Sequence, residues 1–238
     1  MTPPLQQKTP FKLFYKSVGE GHPLILLHGN GEDCTYFDGQ ISFFAKHRRV
    51  IAIDTRGHGK SPRGEAPFSL NTFADDLYDF MKSHGIEAAD ILGFSDGGNI
   101  ALLFALAHPE TVTRLVLNGA NLSSKGIKPS VQLPIELGYR LARAFAKKSD
   151  RAKANAEMLG LMVNEPHISP KSLERLKMPV LVIAGTNDMV KRKHTKLIQS
   201  SIKNSRLVII KGDHFIANRR PEEFNREVLA FLETTRPI

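Results

Sequence analysis

Six short aliphatic runs place apolar residues at successive rather than alternate positions along this chain. Strands of this kind are covered on both faces, as the strands of a parallel sheet are. Helical patterns separate the runs, and alternating strands and helices predict a mostly parallel, doubly wound α/β sheet. The runs span residues 23–29, 49–54, 89–94, 114–119, 179–185 and 206–212.

Two segments between the runs have the pattern of amphipathic helices. Residues 70–84 and 221–232 each place large apolar side chains on a single helical stripe. The second segment also begins with a proline and two glutamates, which suit a helix N-terminus. Both segments are expected to pack against the predicted sheet.

The strand–helix alternation breaks once, between residues 121 and 177. No aliphatic run occurs there, and weakly amphipathic stretches at 134–148 and 151–161 predict helices instead. An insertion that follows the carboxyl end of a strand lies above the sheet, where open α/β folds bind ligands. We therefore predict a short helical lid at 121–165 on a core formed by residues 1–120 and 166–238.

The sequence GFSDGG, residues 93–98, lies between a predicted strand and a helix expected to begin near Asp96. Gly93 and Gly97 flank Ser95 in the G-x-S-x-G spacing of a nucleophile elbow. Such a turn strains the serine backbone, and small neighbours let the chain fold back. The hydroxyl then lies at a helix N-terminus, whose dipole favours developing negative charge. Ser95 is the predicted nucleophile.

A serine needs a base to remove its proton and a third group to orient that base. His214 follows the last aliphatic run, and Asp188 follows the run at 179–185. The order serine, aspartate, histidine is the one expected for a strand–turn–helix elbow. Asn118 stands where some such enzymes carry the acid, which leaves Asp188 as the predicted acid. We predict that Asp213, beside the histidine, is a turn residue or supports the geometry of the strand end.

A tetrahedral intermediate also needs hydrogen-bond donors for its oxyanion, typically two backbone N–H groups. One is expected from Asp96, the residue after the nucleophile. The other is expected from Asn30, in the sequence HGNGED that follows the first aliphatic run. Glycines at 29 and 31 let this backbone approach the site, and His28 is expected to anchor the loop rather than to react.

The composition of the chain argues against a nucleic-acid-binding protein and against a membrane-spanning one. The formal net charge is +9, and the segment from 121 to 177 holds 11 Lys and Arg against 5 Asp and Glu. Aromatic residues do not interleave with the basic ones, which argues against a nucleic-acid partner. No apolar run is long enough for a membrane span or a signal peptide. A single cysteine, Cys34, suits a reducing compartment, so a cytoplasmic protein is expected.

With these motifs, the chain resembles the α/β-hydrolase superfamily over nearly its whole length. The matching stretches are LLHGNG, DTRGHGKS, GFSDGG, GTND and GDHF. The resemblance implies a serine hydrolase without a metal or organic cofactor, and it makes DTRGHGKS a structural turn, so Asp54 and His58 receive no catalytic role. The elbow resembles that of valacyclovirase-like amino-acid ester hydrolases, in which the aspartate after the serine recognises an ammonium group.

Asp96 matches that aspartate, although a carboxylate in the first turn also stabilises a helix without any role in recognition. The basic predicted lid argues against a cationic substrate. The leading hypothesis is hydrolysis of a small-molecule carboxylic ester through an acyl-enzyme on Ser95. The alternatives are hydrolysis of a carbon–carbon bond or peroxyacid formation with the same triad, or a ligand receptor of slow turnover. The oligomeric state is left open.

Overall fold

The computed structural model describes residues 11–234, so the ends of the predicted core, and the stretch searched for a signal peptide, lie partly outside the described residues. Its elements, in chain order, are β1 Tyr15–Val18, β2 Pro23–Leu27, α1 Asp38–Phe44, β3 Arg49–Ile53, α2 Leu70–Ser83, β4 Ala89–Phe94, α3 Asp96–Ala107, β5 Val112–Asn118, α4 Pro129–Phe145, α5 Asp150–Asn164, β6 Val180–Gly185, α6 Arg192–Ser200, β7 Ser205–Ile210, α7 Ile216–Arg219 and α8 Pro221–Leu232.

The strands form one seven-stranded sheet in the order β1-β3-β2-β4-β5-β6-β7. Strands β2 to β7 pair in parallel, which confirms the predicted mostly parallel sheet. Strand β1 pairs antiparallel with β3 at the edge, with Tyr15 opposite Ile53. None of the predicted runs covers β1, because its residues, YKSV, are half-buried or exposed and form no aliphatic run.

The sheet has a hydrophobic cluster on each face, which explains the continuous aliphatic runs. In β2, Ile25 and Leu27 belong to the cluster that packs under α2 and α3. Leu24 and Leu26 point the other way, into the cluster that α1 and α8 cover. Side chains alternate between the faces of a strand, so covering both faces requires apolar residues at every position.

Helices α4 and α5 form a hairpin between β5 and β6, in the region where the alternation breaks. The predicted helices began at 134 and 151, whereas α4 begins at Pro129 and α5 at Asp150. Proline favours the first position of a helix, and of the two prolines in this stretch it is Pro129 that takes this position. Pro134 lies inside α4. The division of the chain at residues 120 and 166 stays a prediction.

Within residues 11–234, no helix combines the length and the apolar character that a membrane span requires.

Candidate active site

Ser95 occupies the sharp turn between β4 and α3. Its φ is +53°, and it is the only non-glycine residue with positive φ in the described part of the chain. A side chain at Gly97 would collide with the carbonyl oxygen of Leu27, and one at Gly93 with that of Gly97. The Ser95 N–H donates to the carbonyl oxygen of Asn118 at 2.8 Å. The glycines therefore allow the close approach that holds Ser95 in a conformation costing about 1–3 kcal/mol.

His214 and Asp188 form a buried pair at the carboxyl ends of β7 and β6. The Nδ1 atom of His214 lies 2.7 Å from Oδ1 of Asp188, which also accepts the Val190 N–H at 2.9 Å. An acidic partner at Nδ1 selects the tautomer with the proton on that atom, which leaves Nε2 as an acceptor. Nε2 is buried and makes no hydrogen bond to any described residue. This nitrogen is free to accept a proton.

Contacts at the end of β5 bring the histidine and the serine into one region. The ring of Phe94, which precedes Ser95, lies 4.8 Å from the His214 ring between centroids. A Cβ at Gly119 would lie 2.6 Å from Cε1 of His214, so the ring packs directly on this glycine. Asn118, the neighbour of Gly119, is the residue that accepts the Ser95 N–H. The three residues predicted as a triad thus follow β4, β6 and β7, at the carboxyl ends of these parallel strands.

The loop after β2 places Asn30 beside Asp96. Its turn closes twice, because Glu32 donates its N–H to the Gly29 carbonyl at 3.3 Å and accepts the Gly29 N–H through Oε2 at 3.1 Å. Gly31, at φ +74°, takes a conformation that side chains disfavour. Among residues 11–234, the N–H of Asn30 has no hydrogen-bond acceptor. The first N–H of α3, on Asp96, has none inside its helix.

The Asp96 carboxylate binds side-chain amides rather than the N–H groups of its own helix. Oδ2 accepts Nδ2 of Asn30 at 2.9 Å, and Oδ1 accepts Nδ2 of Asn99 at 3.1 Å. Asn99 in turn bonds Asn121, the first residue of the predicted lid. Burial raises the pKa of Asp96, and these amides oppose that rise. The carboxylate is therefore anchored on the site side of α3, which the sequence analysis left open.

Two further carboxyl groups lie near this site, and neither was predicted from the sequence. Burial raises the pKa of Glu32 to about 7, against the opposing influence of the Gly29 N–H and of His214. Burial also raises the pKa of Glu165, which accepts the Leu70 N–H at 2.8 Å and lies near enough to Asp96 for the two charges to repel. Glu32 stood in the quoted HGNGED motif, whereas nothing in the sequence pointed to Glu165.

His28 and Asp54 hold loops, as the sequence analysis expected. His28 Nε2 accepts the Thr55 N–H at 3.0 Å while Nδ1 lies 2.7 Å from the Gly29 carbonyl, and burial lowers the histidine pKa to about 4. The Asp54 carboxylate accepts the N–H groups of Cys34 and Lys60. Its hydrogen bonds keep the turn at 54–61 in place.

Asp33, Cys34 and Asp54 form the one cluster of potential metal ligands in the described chain. Burial raises the pKa of the Cys34 thiol to about 12. Oδ1 of Asp33 accepts the N–H and the hydroxyl of Thr35, and the Asp54 carboxylate accepts the Cys34 N–H. These hydrogen bonds tie the three residues into the loop structure.

Two polar contacts join α5 to the loops around the site. The Arg63 guanidinium forms a double hydrogen bond to the Glu157 carboxylate at 2.7 and 2.8 Å. Asn30 donates its side-chain amide to the Met158 carbonyl at 2.9 Å, in addition to Asp96. One residue of the β2 loop therefore contacts both the helix after the nucleophile and the α4–α5 hairpin.

A family model described as the alpha/beta hydrolase fold matches residues 22–143. The chain is 30% identical over 248 aligned residues to the serine hydrolase BPHL of Mus musculus, covering 93% of this chain and 83% of that protein. It is 41% identical over 106 residues to a 2-hydroxymuconate semialdehyde hydrolase of Pseudomonas sp. strain CF600, covering 43% of this chain and 38% of that protein. The crystal structure of a meta-cleavage product hydrolase from Pseudomonas fluorescens IP01 matches with a TM-score of 0.75 and 26% identity, covering 92% and 93% of the two chains.

Proposed function

The chain belongs to the alpha/beta hydrolase fold family, and on that premise we propose that it is a serine hydrolase of small-molecule carboxylic esters. In the proposed acylation step, Ser95 Oγ attacks the ester carbonyl carbon while His214 Nε2 takes its proton. Asp188 keeps the other ring proton on Nδ1 and stabilises the imidazolium. The tetrahedral intermediate collapses when the imidazolium gives its proton to the leaving alcohol, and the acyl group remains on Ser95.

Deacylation repeats the chemistry with water in place of the alcohol. His214 Nε2 removes a proton from water, the hydroxide adds to the acyl carbon, and the proton returns to Ser95 as the carboxylic acid leaves. In both steps the oxyanion accepts hydrogen bonds from the N–H groups of Asn30 and Asp96. Removal of one such donor typically costs about 2.7–4 kcal/mol of transition-state stabilisation.

One observation carries the proposal: the buried 2.7 Å contact between His214 Nδ1 and Asp188, which leaves Nε2 without a partner among the described residues. Of the other two buried histidines, His28 has both ring nitrogens satisfied at Thr55 and Gly29. His58 also has a buried Nε2 without a partner, but its Nδ1 contacts the Thr55 hydroxyl and the Arg56 carbonyl rather than a carboxylate. The Asp188 carboxylate at Nδ1 is therefore what favours a reacting group at position 214.

The test uses a fluorophosphonate probe and a small activated ester. The parent is expected to react with the probe at Ser95, and Ser95→Ala to lose both labelling and several orders of magnitude of activity. Ser200→Ala, a change on α6, serves as the control and is expected to behave as the parent. Labelling that survives in Ser95→Ala would contradict the proposal.

For the acyl group, we propose a substrate that carries an ammonium group near the carbonyl. Asp96 lies next to the nucleophile, its carboxylate is held by Asn30 and Asn99, and it has no Lys or Arg partner among the described residues. Glu165 adds a second carboxyl nearby. The basic residues of α4 and α5 are mostly exposed, so salt screens them over about 8–10 Å. The local carboxyls therefore outweigh the distant cations.

A second candidate is hydrolysis of a carbon–carbon bond by the same triad. It is favoured by the 41% identity to a 2-hydroxymuconate semialdehyde hydrolase. A panel that pairs α-amino esters with vinylogous diketone acids distinguishes the two reactions, because only the second releases an enol product without an alcohol. A receptor of slow turnover would instead give a burst of one product per Ser95 and then little more.

A further inference from the structure

Helix α4 carries an apolar stripe on its outer face. The exposed fractions of Leu133, Leu137, Leu141 and Phe145 are 63%, 61%, 56% and 56%. These four side chains are spaced by four residues, so they are neighbours along one face of the helix. The opposite side of α4 packs on α5, where Gln132 is buried. Since Gln132 is the one buried side chain of α4, the apolar stripe is left uncovered by the described residues, and an exposed apolar face of this kind marks an interaction surface.

Unpaired cations border this stripe. Arg140 lies three residues from Leu137, and Arg143, Lys147 and Lys148 follow around the end of the helix, all of them exposed. Within the described residues, none of these four side chains takes part in an ion pair. Between 129 and 153 there are six basic residues and two acidic ones. The surface that covers the stripe should therefore be negatively charged.

We propose that the α4 stripe binds the surface of an anionic lipid bilayer, with the helix lying in the plane of the interface. Leucine and phenylalanine side chains bury in the acyl boundary while basic side chains contact anionic headgroups, as in other interfacial amphipathic helices. A second copy of this chain is a poorer match, because a dimer formed through two α4 stripes would bring the two sets of cations together. Complementary charge is what favours the lipid surface.

The packing of α4 on α5 relates the proposed lipid surface to the candidate active site. Helix α4 packs on α5, and α5 contacts the loops of the site through Glu157 and Met158. Lipid bound to α4 would therefore lie on the hairpin side of the molecule. The surface binding itself needs no catalysis, so it stands or falls separately from the proposed hydrolysis.

Co-sedimentation with vesicles tests the proposal on the full chain and on Ser95→Ala. Both proteins are expected to bind phosphatidylcholine vesicles that contain phosphatidylglycerol, and to bind phosphatidylcholine alone far more weakly. Raising the salt concentration should release them, because screening weakens the contacts with headgroups. Loss of hydrolysis in Ser95→Ala with unchanged sedimentation keeps the two proposals distinguishable.

Matched variants separate the apolar and the electrostatic contributions. Leu137→Ser with Leu141→Ser should weaken binding about tenfold or more, while Leu197→Ser, an exposed leucine on α6, should leave binding unchanged. Arg140→Gln with Lys148→Gln should weaken binding about 25-fold, or fivefold for each charge. Lys193→Gln with Lys196→Gln on α6 is the charge control. Circular dichroism checks that every variant is folded.

Three outcomes would overturn the proposal. The first is no sedimentation with anionic vesicles at low salt. The second is equal binding by the stripe variants and their α6 controls. The third is a concentration-dependent dimer, seen by light scattering, that Leu137→Ser with Leu141→Ser abolishes while the parent shows no vesicle binding. That last result would assign the stripe to a second copy of the chain.

Discussion

The proposed triad and the α4–α5 hairpin are held in place by different kinds of structure. Ser95, Asp188 and His214 follow strands of a parallel sheet that is packed on both faces. In the described chain, the only buried side chains of α4 and α5 are Gln132 and Leu161. The hairpin reaches the site through polar contacts of Arg63 and Asn30. The position of the proposed triad therefore depends on the hydrophobic core, whereas the position of the hairpin beside it depends on a few polar contacts.

The largest effect is expected at the strand ends. Asp188→Asn should lower kcat by about 10⁴, because the amide disfavours the proton on His214 Nδ1 and thus blocks Nε2 as a base. Asp213→Asn is the matched control. Its carboxylate accepts the Phe215 N–H and pairs with Arg219 at the surface, so kcat should change by no more than a few-fold. A larger loss at position 213 would show that the acid is misassigned.

The next effect is expected where the two regions meet. Asp96→Asn should lower kcat/KM for α-amino esters by about ten- to a hundredfold, the size of a charge-assisted hydrogen bond, and spare the matched simple esters. Asp79→Asn, exposed on α2, should leave both values unchanged. Because Asp96 is buried, the ratio of the two kcat/KM values should also respond little to salt. An unchanged ratio in Asp96→Asn would remove the ammonium proposal and leave the ester proposal intact.

The burial of Glu32 is expected to affect the stability of the fold rather than the rate of hydrolysis. Its pKa is raised by burial from 4.5 to about 7, so the folded chain holds a proton there that the unfolded chain has already released. This group therefore stabilises the fold below pH 4.5, and the contribution is lost as the pH rises through about 7. The Tm of Glu32→Gln relative to the parent should increase by several °C from pH 4.5 to pH 8.

The control for this measurement is Glu87→Gln, an exposed glutamate after α2. Its Tm difference from the parent should be the same at both pH values. If Glu32→Gln also shows a constant difference, the carboxyl at position 32 titrates as an exposed one does. The hydrogen bond from the Gly29 N–H and the influence of His214 would then offset the burial of the carboxylate.

The smallest effect is expected from the Arg63–Glu157 bridge of the hairpin. Both side chains are partly exposed, and such pairs contribute about 0.2–1 kcal/mol. Arg63→Gln and Glu157→Gln should each raise KM a few-fold and leave kcat nearly unchanged, and the double variant should add little to either single change. A large fall in kcat would mean that the hairpin, and not the sheet alone, positions the reacting groups.

Much of the fold was open to prediction because its signals are local in the sequence. The six aliphatic runs correspond to β2 to β7, since a strand covered on both faces has a composition that no loop shares. Strand β1 was missed because an edge strand needs no such composition. The start of α4 was misplaced because two prolines offered a first helical position and only Pro129 takes it.

For the site, the sequence predicted residues at strand ends, whose catalytic roles stay predictions, and it did not indicate the groups that packing brings near them. The G-x-S-x-G spacing around Ser95 predicts a strained turn, and the φ of +53° at Ser95 agrees with that prediction. The raised pKa values of Glu32 and Glu165 come from burial by distant segments, for instance where Glu165 accepts the Leu70 N–H. No spacing in the sequence encodes that burial.

The sheet, the elbow and the order of Ser95, Asp188 and His214 could be predicted from local patterns, because backbone geometry and hydrophobic patterning act over a few residues. The contacts of Asp96 could not be predicted in this way. Asn30, from a loop 66 positions away, reaches its carboxylate, and Asn99 fixes the other oxygen. Hydrogen bonds between side chains depend on where separate segments meet in space, and that depends on how the whole core packs.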